Sequence, residues 1–278
     1  MTTFTLIGAG HVGRVLGRLL AAQAGWQLQQ VLTRSTASAE QAVAFIGSGS
    51  AVAGYAALAP ADVFILAVGD DQIVPASEAL AQAVALAGSV VFHCSGALAS
   101  DRLQAVRAAG AAVASVHPIR SFADPQAVAQ AFAGTYCGIE GDAAALAVLT
   151  PALQTIGAQP VPIDAAAKTV YHAAAVFASN YLVTVLDAAL RAYQAAGIPE
   201  AVARQLVQPL AGESMANVFR LGAATALSGP IARGDMATVE RQLQAVQAWH
   251  PPSGALYAAL IAPTAALAQR KKADASGE

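Results

Sequence analysis

FTLIGAGHVGRVLG, Phe4 to Gly17, sets how the chain begins. An apolar run with Phe4, Leu6 and Ile7 breaks into Gly8, Gly10 and Gly13, spaced G-x-G-x-x-G, and an apolar helical pattern follows at Val12, Val15, Leu16, Leu19 and Leu20. A glycine triplet alone serves many turns. Here it joins a strand to a helix at the start of a βαβ unit, and each glycine then has a task. Gly8 permits the tight turn, Gly10 lets backbone approach a pyrophosphate, and Gly13 lets helix and strand pack closely. The helix start at His11, Val12 and Gly13 adds unpaired N–H groups and the positive end of a dipole, so the spacing predicts a dinucleotide site.

Outward from this turn, short β-like runs alternate with helical patterns. Strands are predicted at residues 4–8, 27–33, 62–68, 89–94, 112–116 and 135–139, with a weaker one at 159–163; helices fall at 12–24, 37–46, 72–87 and 101–109. The pattern predicts an α/β fold, a Rossmann-type doubly wound parallel sheet over residues 1–163. At Asp164 the pattern changes. From there to Gly197 the chain runs without proline or interior glycine, which predicts one long helix capped by Asp164 and stopped at Gly197. Only helical segments follow, at 199–220, 236–249 and 254–270, so residues 164–278 are expected to form an all-α domain.

The end of the second strand discriminates between nicotinamide cofactors. An acidic residue there would hold the ribose hydroxyls of NAD, but this chain has VLTRSTAS. Arg34 suits a 2′-phosphate, and Thr33 and Ser35 can donate hydrogen bonds to its oxygens, so NADP is the expected cofactor. Val68 and Gly69, at the end of the strand at 62–68, are further candidate cofactor contacts, because ligands lie beyond the carboxyl ends of such strands.

Bulk properties exclude several classes. The formal net charge is −2 over 278 residues, so no basic field draws in nucleic acid. Two cysteines, Cys94 and Cys137, build no disulfide framework, and MTTFTLIGAG lacks the features of a secretion signal; a reduced, cytoplasmic protein is expected. The uncharged stretch between Glu40 and Asp62 is cut by glycines and Pro60 and is rejected as a membrane span. The five histidines and two cysteines have no metal-ligand spacing, and no metal is expected.

Candidates for chemistry follow the other strands. HCSGAL, from His93, offers Ser95 and Gly96 as substrate or nicotinamide contacts, and VHPIRSFAD, from Val116, offers His117 as a proton donor. On the long helix, Lys168, His172, Ser179 and Asn180 share one side when about 100° is counted per residue. His172 or Lys168 could supply the proton that hydride addition to C=N or C=O requires, while Asn180 or Ser95 holds polar groups of the substrate. Arg233, in ALSGPIARGD, either pairs a substrate carboxylate or belongs to a loop in which Arg233 and Asp235 pair or cap the next helix.

Together TLIGAGHVGRVLG, HCSGAL, HPIRSFAD, KTVYHAAAVFASNYL and LSGPIARGD resemble a bacterial family of Rossmann-like NADP oxidoreductases whose helical C-terminal domain has no assigned function. That family is similar to pyrroline-5-carboxylate reductase and to deazaflavin-dependent NADP reductases, within the 6-phosphogluconate dehydrogenase-like superfamily. The resemblance implies an N-terminal NADP-binding domain, a homodimer through the helical domain, and an active site between the domains. It departs from the superfamily K-x-x-x-N pattern: Asn180 lies well beyond it and His172 stands where the Asn would be, which makes His172 the first choice as proton donor. HPIR resembles the His-Pro of prephenate dehydrogenases and raises His117. The expected activity is NADP(H)-dependent hydride transfer to or from a small polar imine, keto or hydroxy acid; the alternative is a dinucleotide-binding sensor without turnover.

Overall fold

A computed structural model describes residues 1–276. Its strands are β1 (Thr2–Ile7), β2 (Trp26–Leu32), β3 (Ser50–Val52), β4 (Val63–Leu66), β5 (Val90–His93), β6 (Ala112–Pro118), β7 (Tyr136–Gly141) and β8 (Gln159–Pro162). They form one sheet in the order β3-β2-β1-β4-β5-β6-β7-β8, so the strand order reverses beside β1, the feature that leaves a ligand crevice at the strands' carboxyl ends. The helices among them are α1 (His11–Ala22), α2 (Thr36–Ile46), α3 (Ile73–Ala83), α4 (Gln104–Ala108), α5 (Pro125–Gln130), α6 (Ala143–Thr155) and α7 (Lys168–Val176).

Period-two alternation along the strands divides the core. Val63 and Ile65 of β4 and Phe92 of β5 point to one face, with Val15, Leu16 and Leu20 of α1 and Leu149 and Leu153 of α6. Phe64 and Leu66 of β4 and Val91 of β5 point to the other, with Ile73 and Leu80 of α3 and Val106 of α4. Each such fully buried side chain stabilises the fold by about 1.5–3 kcal/mol relative to exposure. A sheet apolar on both faces needs helices on both, and the doubly wound architecture follows.

The sheet is not wholly parallel, as the sequence led us to expect. β7 runs antiparallel to β6, setting Ser115 opposite Glu140, His117 opposite Gly138 and Pro118 opposite Cys137. Strand β3 and helices α5 and α6 add to the predicted elements. The AAALAVLTPALQT of α6 has no polar residue before Thr150, which erases the helical period a sequence reading depends on.

By contacts the chain divides into Met1–Ser179 and Asn180–Glu278. The helix predicted from Asp164 to Gly197 is interrupted at this division by a π-helical turn, Phe177–Tyr181. Asp164 caps a 3-10 turn that precedes α7, its carboxylate accepting from the Ala166 N–H at 2.9 Å. By length and composition alone the run Ala165–Ala195 could span a membrane, with a mean hydropathy of 1.5. Lys168 on its first α-helical turn is nonetheless only 1% exposed and paired with Glu140 of β7, which ties that end to the sheet.

The second unit holds α8 (Leu182–Ala195), α9 (Glu200–Leu221), α10 (Ala223–Ala226), α11 (Pro230–Arg233), α12 (Met236–Trp249) and α13 (Pro251–Ser276). Asp235 caps α12, accepting from the Thr238 N–H at 3.1 Å. Within this unit α8 packs on α9 and α12 on α13.

Candidate active site

At the opening turn the three glycines differ in what surrounds them. Gly8 has φ +85°, and a Cβ there would meet the Ala67 carbonyl oxygen at 2.5 Å; a Cβ on Gly13 would meet the Gly8 carbonyl oxygen at 2.6 Å. Both are needed for close packing of backbone. Gly10 has nothing within 4 Å of its Cβ position and is the N-cap of α1 without any side-chain cap. Open space in front of uncapped helix amides is what a pyrophosphate requires, so the turn fits the phosphates of a dinucleotide. His11 Nδ1 bonds the Phe122 carbonyl at 2.6 Å, which brings the loop after β6 to the rim of this turn. Val68 stands against Gly8, and Gly69 follows it on the exposed rim. At the end of β2, Thr33 Oγ1 donates to the Ser35 carbonyl at 2.8 Å, Ser35 caps α2, and Arg34 is exposed.

Beyond β5 and β6, within the same unit, a second group gathers. Ser115 and His117 lie two apart on β6 and so share a face; Glu140 and Gly138 oppose them on β7. Lys168, Tyr171 and His172 lie at i, i+3 and i+4 and so share a face of α7. A helix advances about 4.5–6 Å over that spacing and a strand about 6.6 Å over two residues, so the two stripes match in length. Lys168 meets Ser115 and Glu140, while Tyr171 and His172 meet His117 at the carboxyl end of β6.

There the Tyr171 hydroxyl and His117 Nδ1 are hydrogen-bonded at 2.9 Å. Burial pushes the Tyr171 phenol up to about 12, so it keeps its proton. Burial, and then the charges of His172 and Lys168, lower His117 to about 4. A neutral His117 that accepts at Nδ1 carries its hydrogen on Nε2. The rings of His117 and His172 are 5.5 Å apart and edge-to-face. A Cβ on Gly96 would collide with His172 Nδ1 and meet His117 Nε2 at 2.8 Å, so the missing side chain of Gly96 makes room for both imidazoles. A Cβ on Gly138 would collide with the Tyr171 hydroxyl. His172 Nδ1 is buried without a hydrogen-bond partner among the described residues.

Lys168, expected as an alternative proton donor, bonds Ser115 Oγ, the Ser95 carbonyl at 3.1 Å and Glu140 Oε1 at 3.4 Å. Ser95 Oγ accepts from Ala97 N–H at 3.1 Å and Leu98 N–H at 3.0 Å, which turns the hydroxyl into its own loop. Burial raises the Cys94 and Cys137 thiols to about 12. Among the described residues no three His, Cys, Asp or Glu side chains gather as metal ligands.

Among the expected site residues the structure thus brings together Ser95, Gly96, His117, Lys168 and His172. Asn180 and Arg233 belong to the second unit, Asn180 in the π turn and Arg233 exposed at the end of α11. The single-face count for Lys168, His172, Ser179 and Asn180 assumed α-helical spacing throughout and does not carry across that turn. Sequence reasoning missed Tyr171, Gly138, Glu140 and Ser115. Only the K-T-V-Y-H spacing, which puts Tyr171 beside His172, carried a signal.

The Rossmann-like domain family matches residues 2–118, and the family described as Domain of unknown function (DUF2520) matches residues 135–264. The chain joins a Rossmann-like domain to a DUF2520 domain. The clustered groups come from both: Ser95, Gly96, Ser115 and His117 lie in the Rossmann-like match, and Gly138, Glu140, Lys168, Tyr171 and His172 in the DUF2520 match. No curated protein matches the chain.

Several solved structures share the fold. A protein titled as a candidate NADP oxidoreductase from Bacteroides fragilis is 21% identical with a TM-score of 0.79, the match covering 95% of this chain and 98% of that one. A reductive aminase from Aspergillus terreus, in complex with NADPH and ethyl-5-oxohexanoate, is 18% identical with a TM-score of 0.65, covering 100% and 95%. Pyrroline carboxylate reductase from Plasmodium falciparum, with NADP bound, is 13% identical with a TM-score of 0.59, covering 96% and 98%.

Proposed function

We propose that this protein is an NADP(H)-dependent oxidoreductase acting on a C=N or C=O group, or the corresponding amine or alcohol, of a small polar substrate. The observation that carries the reading is the His117–Tyr171–His172 cluster around Gly96, in the unit that also holds the open glycine turn. Gly8, Gly10, Gly13 and the first amides of α1 would hold the pyrophosphate. Arg34 with Ser35 would hold the 2′-phosphate, the Thr33 hydroxyl being already donated to the Ser35 carbonyl. When bound, the nicotinamide supplies or accepts the hydride. NADP or NADPH in two of the fold relatives supports that cofactor, and the reductive aminase supports the C=N class.

The chain's own groups then divide the remaining work. His117, neutral and fixed by Tyr171, presents Nε2–H as a hydrogen-bond donor to the substrate heteroatom, as neutral imidazoles do in other enzymes. His172 gives the proton that the heteroatom needs once the hydride has reached carbon, and takes it back from water. An exposed apolar stripe on α9, Val202, Leu206 and Leu210, supports a homodimer through the helical domain.

The test is NADPH oxidation against a panel of imines, keto acids and ketones, with NADPH and NADH titrated in parallel. Turnover that disappears in H172A supports the proposal. Tight NADPH binding without turnover on any member of the panel would favour the sensor.

A further inference from the structure

The loop Cys94–Ser100, which carries Gly96 under the two histidines, is bracketed twice at its feet. His93 forms one bracket: Nδ1 accepts from the Ser95 N–H at 3.2 Å, and Nε2 meets the Ala99 carbonyl at 3.1 Å. With Nδ1 accepting, Nε2 carries the hydrogen and donates, and burial lowers His93 to about 4, which keeps this neutral tautomer. Lys168 and Glu140 form the other bracket. Lys168 Nζ donates to the Ser95 carbonyl, while Glu140 accepts from the Ser100 N–H at 2.8 Å and from Ser100 Oγ at 2.7 Å.

All three Nζ hydrogens of Lys168 therefore have acceptors: a backbone carbonyl, a serine hydroxyl and a carboxylate. Lys168 is 1% exposed and Glu140 7%. Taking such a pair out of water costs heavily, and an apolar pair of similar volume would fill the space as well. An apolar pair could not hold Ser95 and Ser100 in register. The charges earn their place through geometry.

We propose that Lys168 and Glu140 are positioning residues that fix the Cys94–Ser100 loop, and Gly96 with it, where His117 and His172 close over it, and that Lys168 passes no proton to a substrate. The functional half of this proposal rests on His117 and His172 as the reacting pair; the fixing of the loop does not.

Amide hydrogen exchange on the full chain tests it with two substitutions, Lys168→Met and Ser100→Ala. Ser100→Ala keeps the ion pair and removes one hydrogen bond to a charged acceptor, so protection of residues 95–100 should fall about tenfold while β1 and β4 stay unchanged. In Lys168→Met the fall should be larger. The imidazole nitrogen resonances of His117 should also shift there, with its titration midpoint rising. The groups facing His117 are Tyr171, His172, Lys168 and Asp70, and one positive neighbour has gone. If Lys168→Met does not fold, Ser100→Ala decides alone. Unchanged protection of residues 95–100 overturns the proposal. So does an activity-against-pH limb that vanishes in Lys168→Met while loop protection stays native, because that marks a proton donor. Loss of NADPH binding with the loop responding as expected would instead count against the cofactor reading and leave the bracket standing.

Discussion

His172 and Tyr171 are neighbours on one helix, yet their replacements should separate. Removing the imidazole in His172→Ala should lower turnover by about 100-fold or more, the range for loss of a general acid, while NADPH affinity stays put. Tyr171→Phe keeps the ring and loses the donor to His117 Nδ1, which frees that imidazole to exchange tautomers; turnover should fall by roughly tenfold, a single hydrogen bond's worth. Steady-state kinetics with parallel cofactor titration checks both. Single residues also set the acid limit of the fold. His93 and His117 both titrate near 4 when folded, below the ordinary value of 6.5. The unfolded chain therefore binds more protons between those values, and stability falls as pH drops from about 6.5 towards 4. For the fully buried His93 the loss is on the order of 3 kcal/mol. Urea melts across that range should show it, and flat midpoints would contradict it. His117, His172, Ser95 and Gly96 were legible because polar and small residues after strands point to chemistry. Glu140 and Ser115 were not, because a carboxylate and a serine on alternating strand positions look like solvent-facing residues until the antiparallel register sets them together.

At the scale of the element, the glycine turn separates packing from binding. Gly10→Ala adds a methyl to empty space at an ordinary φ of −67°, so the melting temperature should hold while NADPH affinity drops by at least about tenfold. Gly8→Ala puts a Cβ on a left-handed residue against the Ala67 carbonyl and should destabilise by about 1–3 kcal/mol. Calorimetry beside cofactor titration distinguishes them; equal melting losses would mean the turn is packing alone. On the neighbouring turn, Arg34→Ala should weaken NADPH by about tenfold and leave NADH unchanged, since only one of the two presents a phosphate to a guanidinium. This turn was the most readable part of the chain, because glycine spacing, strand and helix all lie within one local stretch. Helix α6 and the reversal at β7 were hidden for the opposite reason. One has no polar residue before Thr150 to mark its period, and the other depends on a partner strand about twenty residues away in the chain, which no local pattern reports.

For the molecule as a whole, the exposed stripe on α9 should be covered by a second copy in solution, so sedimentation should give twice the chain mass. Leu206→Glu and Leu210→Glu together should give a monomer. The sequence placed a boundary after residue 163, whereas contacts place Lys168, Tyr171 and His172 with the sheet. A shortened chain ending at 163 would take Lys168 away from the Glu140 carboxylate. It should be less stable than one ending at 179, which keeps the pair. The consequence reaches into descent. Recombination that exchanged helical halves between relatives at the point where composition changes would transplant one jaw of the vice without the other, so hybrids spliced inside the π turn should survive where those spliced before it fail.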